Sequence, residues 1–187
     1  MPPVPKITKE KIIQGALALV RKKGAAALTA KSLAAKLGCS TQPVFWHFEN
    51  MEALKKAVFG EALAVFGKFL RQERECPSPY MAIGLNYVLF AKEEKELFKL
   101  LFMSDFGKTD LVNASVEMDY ILQVIEKSEN VTGEIAKTIY RDMWVFSHGI
   151  AAMSATGTAE FSEEEVRAML GDVCRGLIGH LKEKNLS

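Results

Sequence analysis

The stretch Thr29-Ala-Lys-Ser-Leu-Ala-Ala-Lys-Leu-Gly-Cys-Ser-Thr-Gln-Pro-Val-Phe-Trp-His-Phe48 decides how the whole chain is read. Thr29 offers a side-chain oxygen to cap a short helix, and Leu33, Ala34 and Leu37 fall at the three- and four-residue spacing of one buried face. Gly38 ends that helix. Another short helix is predicted from about Thr41 to His47, with Pro43 in its first turn, where a missing N–H costs nothing. Ala34 and Ala35 are small enough for close helix approach. Two short helices around a glycine turn have the layout of a helix-turn-helix, which places its second helix in the major groove of DNA.

Working outward, a first helix is expected from a Thr8 cap through Ile12, Ile13, Ala16, Leu17, Leu19 and Val20 to Lys23, closed by Gly24. Asn50 caps a long fourth helix that must stop near Pro77-Ser78-Pro79. Further helical periods run over about Tyr80 to Phe90, Glu93 to Met103, Asp110 to Lys127, Glu134 to Met153 and Glu163 to Lys184. The last opens with Ser162 and, three residues on, Glu165, a capping box. Strand signals are scarce. The predicted fold is therefore all-α with about nine helices: a helix-turn-helix domain over residues 1–50, motif at 29–48, then a helical regulatory and dimerisation domain over 51–187.

Charge divides the same way. Residues 1–60 carry ten Lys/Arg against three Asp/Glu, a net +7, whereas the remainder carries 14 basic and 20 acidic residues, a net −6. A compact basic segment is the electrostatic footprint of a polyanion binder. Apolar residues at 49% and charged residues at 25% exclude a disordered or collagen-like chain. No run is long and apolar enough for a membrane span, so the expected location is cytoplasmic, with no membrane partner. Cys39, Cys76 and Cys174 are odd in number and lack zinc-site spacing, which suits a reducing compartment.

From Thr8 to Val58 the chain resembles the TetR family of bacterial transcriptional regulators. The leading helix with Gly24, the capping Thr29, the Leu33-Ala34 pair, the Gly38-Cys39-Ser40 turn and the His47-Phe48 ending all fall in register. The resemblance implies a three-helix DNA-binding head, a homodimer made by the last two helices and an inducer pocket in the C-terminal domain. The tyrosine usual three places before the final Phe is Phe45 here, and the lysine common after the fourth helix's cap is Met51, which leaves Lys55 or Lys56 to supply that phosphate contact.

The candidate DNA contacts are Thr29, Lys31, Ser40, Thr41, Gln42, Pro43, Phe45, Trp46, His47 and Lys55. Gln42 is the expected base reader, since Gln pairs with adenine through two hydrogen bonds worth ~1–3 kcal/mol of discrimination. Thr29 and Lys31 are expected at phosphates, with cap and solvated charge as their plainer roles. Trp46 is read either as a DNA contact or as packing, and Phe48 as core.

The second domain is rich in Phe and Met, which either fill an ordinary core or line an adaptable cavity. Trp144 and His148, four apart on one helix, share a face, and Trp144 to Gly149 resembles the Trp-His-Gly pattern of one TetR subfamily. Phe102, Met103, Phe106, Met118, Trp144 and His148 are the candidate ligand residues, for an unidentified apolar or aromatic inducer. Ala151, Ala152, Ala155, Val166, Leu170, Val173, Gly176 and Leu177, on the last two helices, are the candidate dimer interface.

No GxGxxG, P-loop, HExxH or GxSxG is present, and His47, His148 and His180 are far apart, so no enzyme, catalytic residue, metal or cofactor is expected. The expectation is a ligand-responsive repressor acting as a homodimer on a palindromic double-stranded DNA operator. The alternative is a helical small-molecule-binding or interaction protein without DNA-binding activity.

Overall fold

Thr8 accepts a hydrogen bond from the Lys11 N–H (3.2 Å) and opens α1 (Lys9–Lys23), which ends at Gly24 with a φ of 78°. In the computed structural model, which describes residues 7–104 and 117–186, eight more α-helices follow: α2 (Ala30–Leu37), α3 (Gln42–His47), α4 (Met51–Leu70), α5 (Pro79–Glu93), α6 (Lys95–Phe102), α7 (Met118–Glu129), α8 (Gly133–Thr156) and α9 (Glu163–Leu186). The described residues contain no strand. One short turn of 3₁₀ helix, Ala25–Ala27, is not announced by the sequence pattern. It lies between the Gly24 and Thr29 caps, so three alanines bridge two helices without room for a further α-turn. The predicted helix over Asp110 to Lys127 is described only from Met118 onward, and its first residues lie outside the described ones.

The chain forms two compact units: one holds the described residues of Met1–Val65 and Glu94–Gly107, the other those of Phe66–Glu93 and Lys108–Ser187. In the first, Ile12, Leu17, Val20, Leu33, Val44, Leu54, Leu97 and Phe98 are buried and form its core. Arg21 on α1 makes a bidentate pair with the carboxylate of Glu94, both contacts 2.9 Å. Glu94, between α5 and α6, spends its side chain on Arg21 and makes no capping bond.

In the second unit α5 packs against α7, α8 and α9, and it is buried nearly all round, from Tyr80 and Ile83 to Phe90 and Ala91. Phe66 and Phe69 at the end of α4 meet it edge-on, with ring centroids 5.0 Å and 5.4 Å from Phe90 and 5.6 Å between Phe66 and Tyr87. This arrangement is favoured by the ring quadrupoles. These phenylalanines are core.

Candidate DNA interface and ligand cavity

The turn between α2 and α3 is built by local chemistry. Thr29 and Ser32 form a reciprocal capping box, and Ser32 also donates to the Ala27 carbonyl at 2.6 Å. Gly38 adopts the left-handed conformation (φ 67°, ψ 33°) that a side chain would resist, and its N–H closes α2 onto Ala34 and Ala35. Leu33 and Ala34 on α2, with Val44 on α3 and Phe48 just beyond it, face the core. That fixes which side of α3 looks outward.

Gln42, Phe45 and Trp46 stand three and four residues apart and share that outward side; Phe45 is 45% exposed and Trp46 73%. Trp46 presents most of its ring to solvent and so is not packed into the core of the head. Thr29, Lys31, Ser40 and Thr41 are exposed too, and Pro43 partly so. Thr29 serves as a cap, its oxygen accepting from the Ser32 N–H at 3.1 Å. Lys55 pairs with Glu52 at 2.8 Å within α4. His47 places Nε2 2.9 Å from the carbonyl oxygen of Ile7. A carbonyl only accepts, so Nε2 carries a proton and ties the start of the chain to the end of α3.

In the second unit, Trp144 and His148 stack with ring centroids 5.0 Å apart and 15° between planes, and His148 Nδ1 lies 2.9 Å from the Tyr87 hydroxyl. Burial pushes the Tyr87 hydroxyl far above its usual pKa, so it stays protonated and donates to Nδ1. Burial also lowers the His148 pKa, which keeps the ring neutral with its proton on Nε2. The sign follows: the unfolded chain takes up the proton first, so the stability that depends on neutral His148 is complete above about pH 6.5 and falls as the pH drops below that. Comparing unfolding midpoints at acid and neutral pH, the drop should be smaller in His148→Gln; equal drops would assign the pH dependence elsewhere.

Beside this pair is a cavity of about 30 Å³, bordered by Tyr80, Ile83, Tyr87, Ile121, Met143 and Trp144. It has room for a water or two. Of the six residues expected at a ligand, Trp144 borders it and His148 stacks on Trp144, while Met118 begins α7 and is half-buried. Phe102 and Met103 belong to the first unit, where the Phe102 ring lies 4.9 Å from that of Phe98 and Met103 is 48% exposed. Phe106 lies outside the described residues.

The interface candidates on α8 and α9 divide by orientation. Ala151, Ala155, Val166 and Leu170 are buried in the chain itself, because α8 and α9 pack on α5 and on each other. Ala152 and Leu177 are half-buried, Val173 and Gly176 exposed. The outward face of α8 is instead Val145, Gly149 and Met153, which periodicity alone did not separate from the inward one.

Among the described residues no three His, Cys, Asp or Glu gather as a metal site, and no helix is long and apolar enough to cross a membrane.

Comparison with known proteins meets this geometry at the same residues. Residues 12–58 match the model of the bacterial regulatory proteins, tetR family. The HTH-type transcriptional regulator YvkB of Bacillus subtilis (strain 168) is 26% identical over 140 residues, spanning 70% of this chain and 74% of that protein. A protein from Rhodococcus sp. RHA1 has a similar solved structure (TM-score 0.68, 23% identity, 88% of this chain and 92% of that one). So does a single-substitution variant of TetR from Acinetobacter baumannii AYE, solved in complex with minocycline (TM-score 0.61, 17% identity, 95% and 98%). The head, whose turn, buried face and exposed α3 surface coincide with the matched residues, is a TetR-type helix-turn-helix, and over 140 residues the chain is similar to an HTH-type transcriptional regulator.

Proposed function

We propose that the protein is a ligand-responsive repressor that binds a palindromic operator as a homodimer, in the cytoplasm. The observation that carries the DNA reading is the outward face of α3, where Gln42 lies beside the exposed rings of Phe45 and Trp46 in a segment of net charge +7. The solvent-facing part of this aromatic pair contributes little to the free head, whereas against a duplex it covers thymine methyl groups and sugars while Gln42 reads a base edge. Lys31 and the α3 N-terminus meet phosphates.

Regulation follows from a two-state dimer. An effector that prefers the arrangement with heads wrongly spaced for successive major grooves shifts the population; moving it from 1:99 to 99:1 takes ~5.5 kcal/mol of differential binding. The effector is proposed to be apolar or aromatic and to enter beside Trp144 and His148, enlarging the small cavity there. The minocycline complex of the Acinetobacter protein supports a ligand-binding role for this architecture.

The test is a mobility-shift titration on a site selected from random DNA. Gln42→Ala should lose about tenfold affinity for the selected site and little for other sequences. Lys31→Ala should weaken binding to all sequences and flatten the salt slope by about one unit. Absence of binding to any duplex at low salt would overturn the reading.

A further inference from the structure

The connection between α4 and α5 walls a cavity of about 420 Å³, within the range of small-molecule sites and far larger than the space beside Trp144. We propose that it binds a small organic anion, a carboxylate or sulfonate carried on an apolar or aromatic body.

The wall is held from two sides. Asn86 on α5, fully buried, donates to the carbonyls of Leu70 (3.1 Å) and Gln72 (2.8 Å). Arg167 on α9 donates to the carbonyl of Glu75 (2.8 Å) and lies 3.1 Å from Cys76 Sγ. A loop pinned this way keeps its shape when nothing is bound, which lowers the cost of binding.

The charged groups bordering the cavity are Arg71, Glu73 and Arg74. Arg71 is committed: it pairs with Glu117 and lies 4.4 Å over the Tyr120 ring. Arg74 is not. Its Nε donates to the Asn86 oxygen, its Nη2 lies 3.4 Å from Gln72 Oε1 and its guanidinium lies 6.0 Å from the Phe69 ring centroid, yet it makes no ion pair among the described residues. Glu73 is exposed to solvent.

A guanidinium anchored through Nε presents its remaining N–H groups in a fixed fork, the geometry that suits a carboxylate or sulfonate. The N-terminal end of the 15-residue α5 borders the same space and adds positive potential. Leu70, Pro79, Ala82, Ile83 and Tyr120, which border the same space, offer apolar surface for the body of the ligand. A neutral ligand would use this surface and leave Arg74 unanswered; a cation would be repelled.

The probes are 1-anilinonaphthalene-8-sulfonate and N-phenyl-1-naphthylamine, the same ring system without the sulfonate, titrated by fluorescence against the full chain in the absence of DNA. The result is thus independent of operator binding. One sulfonate dye should bind per chain, at least tenfold tighter than the neutral one. Arg74→Gln should remove that preference, and Ala82→Phe, which fills the cavity and leaves Arg74 in place, should weaken the sulfonate dye at least tenfold. Equal affinity of the two dyes for the unsubstituted chain would overturn the proposal, as would sulfonate-dye affinity within twofold of it in Ala82→Phe. If Arg74→Gln does not fold, these two measurements still decide.

Discussion

Asn86→Ala is expected to lower the stability of the protein by about 3 kcal/mol, a large share of the 5–15 kcal/mol that holds a typical domain. Asn86 is 0% exposed, and its amide fills three hydrogen bonds at once: two to the carbonyls of Leu70 and Gln72, one from Arg74 Nε. Alanine supplies none of them. Each polar group left without a partner away from water costs about 1–3 kcal/mol, and the Leu70 carbonyl, at the buried end of α4, is the least able to find water. The loss should appear as a lower urea midpoint at matched protein concentration, so that any self-association contributes equally to both proteins. Asn86→Asp separates the parts: it keeps an acceptor for Arg74 but loses both donors and sets a carboxylate against two carbonyl oxygens. It should therefore be no more stable than the alanine variant. A change below about 0.5 kcal/mol in Asn86→Ala would show that water replaces the amide and that the loop is held by its own backbone.

Residues whose role is local were legible in the sequence. Thr8, Thr29 and Asn50 cap the helices assigned to them, because an N-cap needs only a short polar side chain and the three N–H groups that follow. Ser162 and Glu165 form both bonds of their capping box, at 2.7 Å and 3.2 Å. Gly38 ends α2 in the left-handed conformation for which glycine is suited. What was not legible depends on distant partners. Nothing near Asn86 in sequence announces that it will meet Arg74, twelve residues earlier, or that Arg74 will border a cavity. Periodicity also fails where a helix is apolar on more than one side: on α8, Ala151 and Ala155 face the chain's own core, and Val145 and Met153 face out. Composition located an aromatic-rich region, but only the packing shows that Phe66, Phe69 and Phe90 close on one another while Trp144 borders a space.

Gly176→Arg is expected to convert the protein to monomers and to lower operator affinity by about 100-fold or more. Gly176 lies on the outward face of α9, and a Cβ added there would meet nothing within 4 Å beyond the backbone of its own helix turn. The same holds for Gly149 on α8 and Gly179 on α9, whereas a side chain at Gly84 would touch Leu170 (3.4 Å) and one at Gly171 would crowd Met81 (3.2 Å). The chain's own side chains therefore border Gly84 and Gly171 but not the outward three. Glycine in a helix interior costs about 1 kcal/mol relative to alanine, so within the single chain arginine at position 176 should if anything stabilise α9. Loss of assembly in this variant would then report a contact with a second copy, in which the glycines beside Val173 let two α9 helices approach closely and a guanidinium cannot be accommodated. The DNA effect follows from linkage: one head placed on its half-site holds the other at millimolar effective concentration, and losing that advantage costs a factor of about 10²–10⁴. Sedimentation at micromolar concentration reads the first effect and a mobility shift the second, with a thermal melt to show that the variant is folded. Dimers that persist in Gly176→Arg would place the interface elsewhere, and a monomeric unsubstituted protein would remove the basis for a palindromic operator.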